Sequence, residues 1–296
     1  MPLPLYYFLS ITAVNILMSW AIYLPYRVTN LHFIIVANMA ISGYMAGFLV
    51  MNLHVPFGVA LLAGFALGGL IGYVVSLFIG DAPTFAVVIV GFTFIYITRT
   101  VVENLKVIGG TLGMFGLPSV GGSPAAHRWI IIAILYGLVL LVGFLIHRFD
   151  HSRLGRAASA VFVDKDLAAS LGVDRKKLGM LVQTFSCTIA GGCGVLYGFI
   201  YRSFHLDFFT FHLVGIFMTT IFVGGYTTLW GSLILTPILY GVPLLFPSAI
   251  QSWRIVIYGA LLILVLVLKP EGFITRRRVH SIETFLSRAR RKRNIQ

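Results

Sequence analysis

The chain is written in long apolar runs separated by short polar breaks. Runs near residues 4–25, 29–52, 56–80, 83–105, 129–148, 178–200, 210–228, 231–247 and 253–269 predict roughly nine membrane-crossing helices, within a range of 8–10. Each approaches the ~20 apolar residues that carry a helix across ~30 Å of hydrocarbon. A barrel would need short alternating strands, and these runs are continuous, so helices are the spanning form that fits. Pro25, Pro56, Pro83, Pro243 and Pro247 mark starts, stops or kinks. Within 210–247, Gly224, Gly225, Gly231 and Pro237 interrupt the pattern and predict broken helices, which line cavities more readily than they face lipid. The expected fold is an all-α, polytopic membrane protein with broken or kinked helices and a helix in one polar loop.

Composition strengthens this. Of 296 residues, 58% are hydrophobic and only 10% charged, and the mean hydropathy is +0.95. A chain so poor in charge cannot bury its apolar surface in one aqueous core. No basic leader or small-residue cleavage site stands out, so the first run reads as a retained span.

The formal charge is +13, which by itself would suggest nucleic acid. Its distribution argues otherwise. Of 22 Lys and Arg, seven lie between Arg148 and Lys177 and nine between Lys269 and Arg293. Such clustering in one loop and one tail is what the positive-inside rule produces, not a nucleic-acid footprint. Both clusters are expected to be cytoplasmic. Four spans separate them, and counting back five more places the N-terminus outside and Arg27 inside. Residues 1–274 then form the transmembrane domain, with a cytoplasmic loop at about 149–177, and 275–296 a basic cytoplasmic tail. In that tail Val279, Ile282, Phe285, Leu286 and Ala289 recur at helical spacing among arginines. This fits a short amphipathic helix on anionic lipid, or a disordered basic tail.

Catalytic signatures are missing from the sequence. It contains no GxxxxGK[ST], HExxH, GxSxG or paired CxxC. No catalytic residue, metal site or cofactor is expected in this chain, and any ATP used in transport must be hydrolysed by another polypeptide. Cys187 and Cys193 lie six apart in one apolar run, on different helix faces, and read as small buried hydrophobes. Gly64, Gly68 and Gly72, and Gly43 and Gly47, have the small-xxx-small spacing of close helix packing. Arg99 and Glu103 are either a self-neutralising i,i+4 pair near the headgroups or groups that guard a solute path. Asn38 is either polar glue between helices or a solute contact. His205, Asp207 and His212 fall near an outer loop.

The most informative polar stretch is residues 147–177. Its middle, Ala157 to Leu171, can form one helix presenting Ala158, Val161, Phe162, Ala168 and Ala169, with Gly172 at a C-terminal cap position. Such a helix is either a solvated loop element or the surface a membrane subunit offers to a soluble motor.

At these residues the chain resembles the permeases of branched-chain amino acid-type ABC importers. The family pattern runs through Gly155, Arg156 and Ala157; Asp164 or Asp166; Ala168 and Ala169; and Leu171, Gly172 and Val173. A following span carries Ala190, Gly191, Gly194, Leu196 and Tyr197. Further on, Gly224, Gly225, Trp230 and Gly231 match a family turn, although Thr227 stands where Gly is usual. KPEGFI (269–274) resembles the family's closing segment, and GGTLGMFGLP (109–118) its external loop.

The resemblance implies that Arg156, Asp164, Asp166, Ala168, Ala169 and Gly172 belong to an element docked on an ABC ATPase subunit. It implies a second permease subunit, identical or different, an external solute-binding protein, and a bacterial inner membrane. The second span, RVTNLHFIIVANMAISGYMAGFL (27–49), departs from the family pattern around Asn38 and Met39, which leaves the solute open among branched-chain or other amino acids, urea and amides. Asn38, Arg99 and Glu103 are the expected path residues. The competing class is a secondary transporter driven by an ion gradient. It requires carboxylates buried at mid-membrane, and only Glu103 and Asp81 come near.

Overall fold

A computed structural model describes residues 1–30, 32–80, 82–241, 253–269 and 272–273. Eleven α-helices occur among these: α1 Leu3–Tyr26, α2 Ile34–Asn52, α3 Phe57–Ile79, α4 Thr84–Asn104, α5 Pro124–Asp150, α6 Arg153–Val163, α7 Lys165–Ser170, α8 Arg175–Tyr201, α9 Phe211–Gly224, α10 Leu229–Gly241 and α11 Arg254–Leu268. The expected tail helix at 279–293 lies outside the described residues. The chain divides into two compact units, Met1–Phe217 and Met218–Gln296.

The all-α, multi-pass architecture holds, but the span count is corrected. Seven helical segments among the described residues are long and apolar enough to cross a membrane: Leu3–Tyr26, Ile34–Asn52, Phe57–Ile79, Phe85–Asn104, Pro124–Asp150, Arg175–Tyr201 and Leu206–Gly224. The last two expected spans are represented by α10, with 13 residues, and α11, with 15. At 1.5 Å per residue α11 reaches about 22 Å, short of the ~30 Å core, while residues 242–247 of the expected 231–247 span, with Pro243 and Pro247, lie outside the described residues. The break between α9 and α10 has the expected cause. α9 ends at Gly224, Gly225 follows in a left-handed conformation, and the backbones of Gly224 and Gly231 touch where any Cβ would collide. Pro237 lies inside α10.

In the first unit several prolines act at helix starts, whereas Pro25 lies inside the last turn of α1. Pro2, Pro56 and Pro83 occupy N-cap positions, and Pro124 opens α5 behind Ser123, whose hydroxyl accepts from the Ala126 amide. α8 is the axis of this unit, with α1, α2 and α3 packed along it. The α3–α8 seam is made of small residues. Gly64, Gly68 and Gly72 face Cys187, Gly191 and Val195 so closely that a Cβ on Gly191 would lie 2.9 Å from the Gly68 Cα. Without a hydrophobic drive between helices in lipid, such backbone approach is how they gain packing energy. Gly43 and Gly47 serve a different contact, forming with Gly198 a slot for the Phe204 ring. Phe204 belongs to a two-residue strand, Ser203–Phe204, paired antiparallel with Met114–Phe115 from the loop after α4. Cys187 and Cys193 are buried and unbonded to each other.

Candidate functional site

The polar segment between α5 and α8 is the most deliberately terminated part of the chain. Ser152 caps α6, its hydroxyl accepting from the Gly155 amide at 3.2 Å. Gly155 is where α6 folds back on α5. A Cβ there would strike the Phe149 carbonyl and lie 2.8 Å from the Asp150 Cα, so only glycine admits the approach. α6 stops at Val163, and Asp164 starts a new helix, accepting from the amides of Asp166 at 2.9 Å and Leu167 at 3.0 Å. The Leu167 and Asp166 amides hold the Asp164 carboxyl below the usual carboxylate range.

α7 closes in a Schellman motif. Val173 N–H donates to the Ala168 carbonyl at 3.1 Å, Gly172 N–H donates to Ala169 at 3.0 Å, and Gly172 has φ +83°. Asp174 then caps α8 through the Lys177 amide at 3.0 Å, and this bond together with the Lys177 ammonium lowers its pKa. The single helix expected over 157–171 is therefore two. Asp164 prefers to satisfy orphan amide donors at an N-terminus rather than continue a helix interior.

The break redistributes the expected docking residues. Ala158, Val161 and Ala168 face inward and are buried, whereas Ala169 is exposed. Asp164 is occupied as a cap, while Asp166 is 99% exposed beside Arg175 at 3.4 Å. Arg156 lies exposed on α6, its guanidinium 3.5 Å from the His151 carbonyl. The outward surface is carried by larger side chains: Val163 is 84% exposed, Leu167 57% and Leu171 74%, of which only Leu171 stood out in the sequence, as part of the family pattern. Their spacing of four, within a run of charged residues, was the available signal.

Beneath this segment lies a buried charge cluster. The Arg27 guanidinium, following the last turn of α1, faces the Asp150 carboxylate at 3.9 Å, with the two side chains 6% and 11% exposed. Arg27 also donates to the Tyr23 hydroxyl at 3.3 Å and to Ser159 Oγ of α6 at 2.6 Å, and Tyr23 donates to Asp150 at 2.9 Å. Two opposite charges, each closing an apolar run on the same expected side of the membrane, were the sequence signal for this pair.

The expected path residues separate. Asn38 is fully buried and joins three helices, its amide nitrogen donating to the carbonyls of Gly68 at 3.2 Å and Cys187 at 2.7 Å. The amide nitrogen thus ties the three helices, while the buried Oδ1 has no hydrogen-bond partner among the described residues. Arg99 and Glu103 do pair, at 2.8 Å, and Arg99 also reaches Asp207 at 3.3 Å, with His205 a further 3.2 Å from that carboxylate. The four form an exposed network at the ends of α4 and α8 opposite the polar segment.

The chain matches, over residues 5–266, the family described as the branched-chain amino acid transport system permease component. It is 26% identical over 137 residues to the high-affinity branched-chain amino acid transport system permease protein LivM of Escherichia coli strain K12. That alignment covers 46% of this chain and 32% of LivM, about a third of the relative's length. No solved structure matches the chain.

Proposed function

The chain belongs to the family of branched-chain amino acid transport permease components, multi-pass transporters rather than enzymes, and we propose that it is the membrane subunit of an ATP-driven importer for a small polar solute. The solute class is branched-chain or other amino acids, urea or small amides. ATP is hydrolysed by separate ABC ATPase subunits docked on Ser152–Asp174. A second permease subunit completes the path, and an external solute-binding protein delivers to the face bearing Arg99, Glu103 and Asp207. The polar segment is cytoplasmic, as is the C-terminus, and the N-terminus is outside, in a bacterial inner membrane.

One observation carries this reading. Val163, Leu167 and Leu171 project from a segment whose other exposed residues include Arg153, Arg156, Lys165, Asp166, Arg175 and Lys177. That charge density holds the segment in water, where exposed apolar side chains of this size call for a protein partner. Capping at Ser152, Asp164 and Asp174 fixes their presentation before any partner arrives.

Ala169→Arg tests the proposal. The residue is exposed, so the permease should insert and accumulate as wild type. A bulky charge in a fitted interface costs about 1–3 kcal/mol, or about tenfold in affinity per ~1.4 kcal/mol. Co-purified ATPase and solute-stimulated ATP hydrolysis should fall about tenfold or more. Normal uptake by Ala169→Arg, or wild-type uptake that survives ATP depletion with an ion gradient intact, would replace this reading with the secondary-transporter one.

A further inference from the structure

The buried cluster Tyr23–Arg27–Asp150–Ser159 engages the docking segment through half-buried Ser159, not through its exposed residues Val163, Leu167 and Leu171, stands apart from the Arg99 network, and joins three elements: the end of α1, the end of α5, and α6. An arginine cannot shed its charge, so Arg27 must keep acceptors wherever it is buried. Asp150 occupies the last turn of α5, where the helix dipole disfavours an anion, and Arg27 supplies the compensating cation from the C-terminal end of α1, where a cation is favoured. Arg27 thus favours its own helix end and also offsets the Asp150 carboxylate that the α5 dipole disfavours. Ser159 brings α6 into the cluster, and the Tyr26 and Phe162 rings meet beside it with centroids 5.6 Å apart.

We propose that this cluster is the positioning device that makes the end of α1 and the coupling helix α6 move as one body. The inference rests on the reading of Ser152–Asp174 as the ATPase-docking segment. α6 is covalently joined to α5 through only two residues, and at Gly155 it lies against the α5 backbone. Arg27 adds a third route into the bundle. α1 packs along α8 and α5, and Ser186 of α8 donates to the Ala21 carbonyl of α1. A displacement imposed on α6 therefore reaches the buried helix α1 directly. Opening the joint would take the buried Arg27 guanidinium off its Ser159 acceptor and part the Tyr26 and Phe162 rings, a loss that holds α6 to α1 while the segment moves. Arg27, Asp150 and Ser159 act through α1 and α6 and need not touch the solute.

The test uses the assembled complex in proteoliposomes and reads solute moved per ATP hydrolysed. The double variant Ser159→Ala, Phe162→Ala removes both α6 contacts and leaves the Arg27–Asp150 pair in place. Its ATPase should co-purify in wild-type amount, while solute per ATP falls about fivefold or more, the lower end of ordinary coupling between sites. Ser159→Thr, which keeps the hydroxyl, should restore the ratio in the Phe162 background.

As a second arm, a disulfide between Tyr26→Cys and Phe162→Cys should leave transport at the level of the reduced protein. The joint is refuted by a wild-type ratio in the double variant, by loss of the ATPase from that variant, or by an oxidised pair that blocks transport until reduced. If instead the wild-type chain retains no ATPase, or its uptake needs no ATP, the functional reading itself has failed. An ATP-driven wild type with an unaffected double variant removes the joint alone.

Discussion

Leu70 of α3 and Leu171 after α7 are both exposed leucines, and they mean opposite things. On α3 the exposed side chains include Leu62, Leu70, Tyr73, Val74, Leu77 and Phe78, while the opposite stripe of Gly64, Gly68 and Gly72 is buried against α8. That helix is inside out relative to a water-soluble one. Small residues make the contact and large ones are left outward, where lipid tails can meet them without a protein partner. In Ser152–Asp174 the rule reverses. Large apolar residues stand among charges, and backbone donors and acceptors are satisfied by Ser152, Asp164, Asp174 and Gly172. Solvent, not side-chain type, decides whether an exposed leucine is a lipid contact or a docking site.

The α3–α8 seam is where a substitution should do the most damage. Gly191→Val would push a side chain into the Gly68 backbone and to about 3 Å from Ser42. Overpacking between two backbones should cost about 3 kcal/mol or more, read as lost membrane abundance and a lower unfolding temperature in detergent.

The same substitution at the two leucines sharpens the contrast. Leu70→Asp places a carboxylate near the middle of a span, at about 3 kcal/mol, and should reduce insertion. Leu171→Asp should change stability by no more than about 0.5 kcal/mol while removing the ATPase from the purified complex. Equal effects at both positions would erase the distinction.

A smaller effect is expected at the cap. The Asp164 pKa is depressed in the fold, so its contribution is fully present above the usual carboxylate pKa and is lost as pH falls through the depressed value. Exchange of the Asp166 and Leu167 amides, corrected for intrinsic rate, should accelerate several-fold between neutral pH and pH values below that point. Asp164→Ala should show the faster exchange at all pH values. The smallest change is expected from Glu103→Ala. The Arg99–Glu103 pair is substantially exposed, and such pairs contribute about 1 kcal/mol or less, so abundance should hold. Wild-type transport in that variant would remove Glu103 from the solute path.

Much of the fold was legible because periodicity and proline positions survive folding. α3 begins behind Pro56 and α4 behind Pro83, and α8 extends the expected run by only a few residues. Two things were not legible. Asp164 could have continued a helix or started one, and only the geometry of the Asp166 and Leu167 amides decides it. Arg27 and Asp150 are 123 positions apart by residue number, and although both close apolar runs on the same expected side, only the packing of α1 against α5 pairs them. Asn38 shows the converse limit. Its polarity marked it as exceptional, but a polar residue in a span can meet a neighbouring carbonyl or a solute, and the Gly68 and Cys187 carbonyls that its amide nitrogen meets were invisible before the helices met.

The exposed face of α7 is proposed to meet a soluble ATPase. The most direct measurement places a photoactivatable cross-linker on Leu171→Cys, with Cys187 and Cys193 buried and unreactive, in native membranes. The account predicts a cross-linked product whose partner peptides include a GxxxxGK[ST] segment, weakened by Ala169→Arg in the same chain. Adducts confined to lipid or to this chain itself would contradict it.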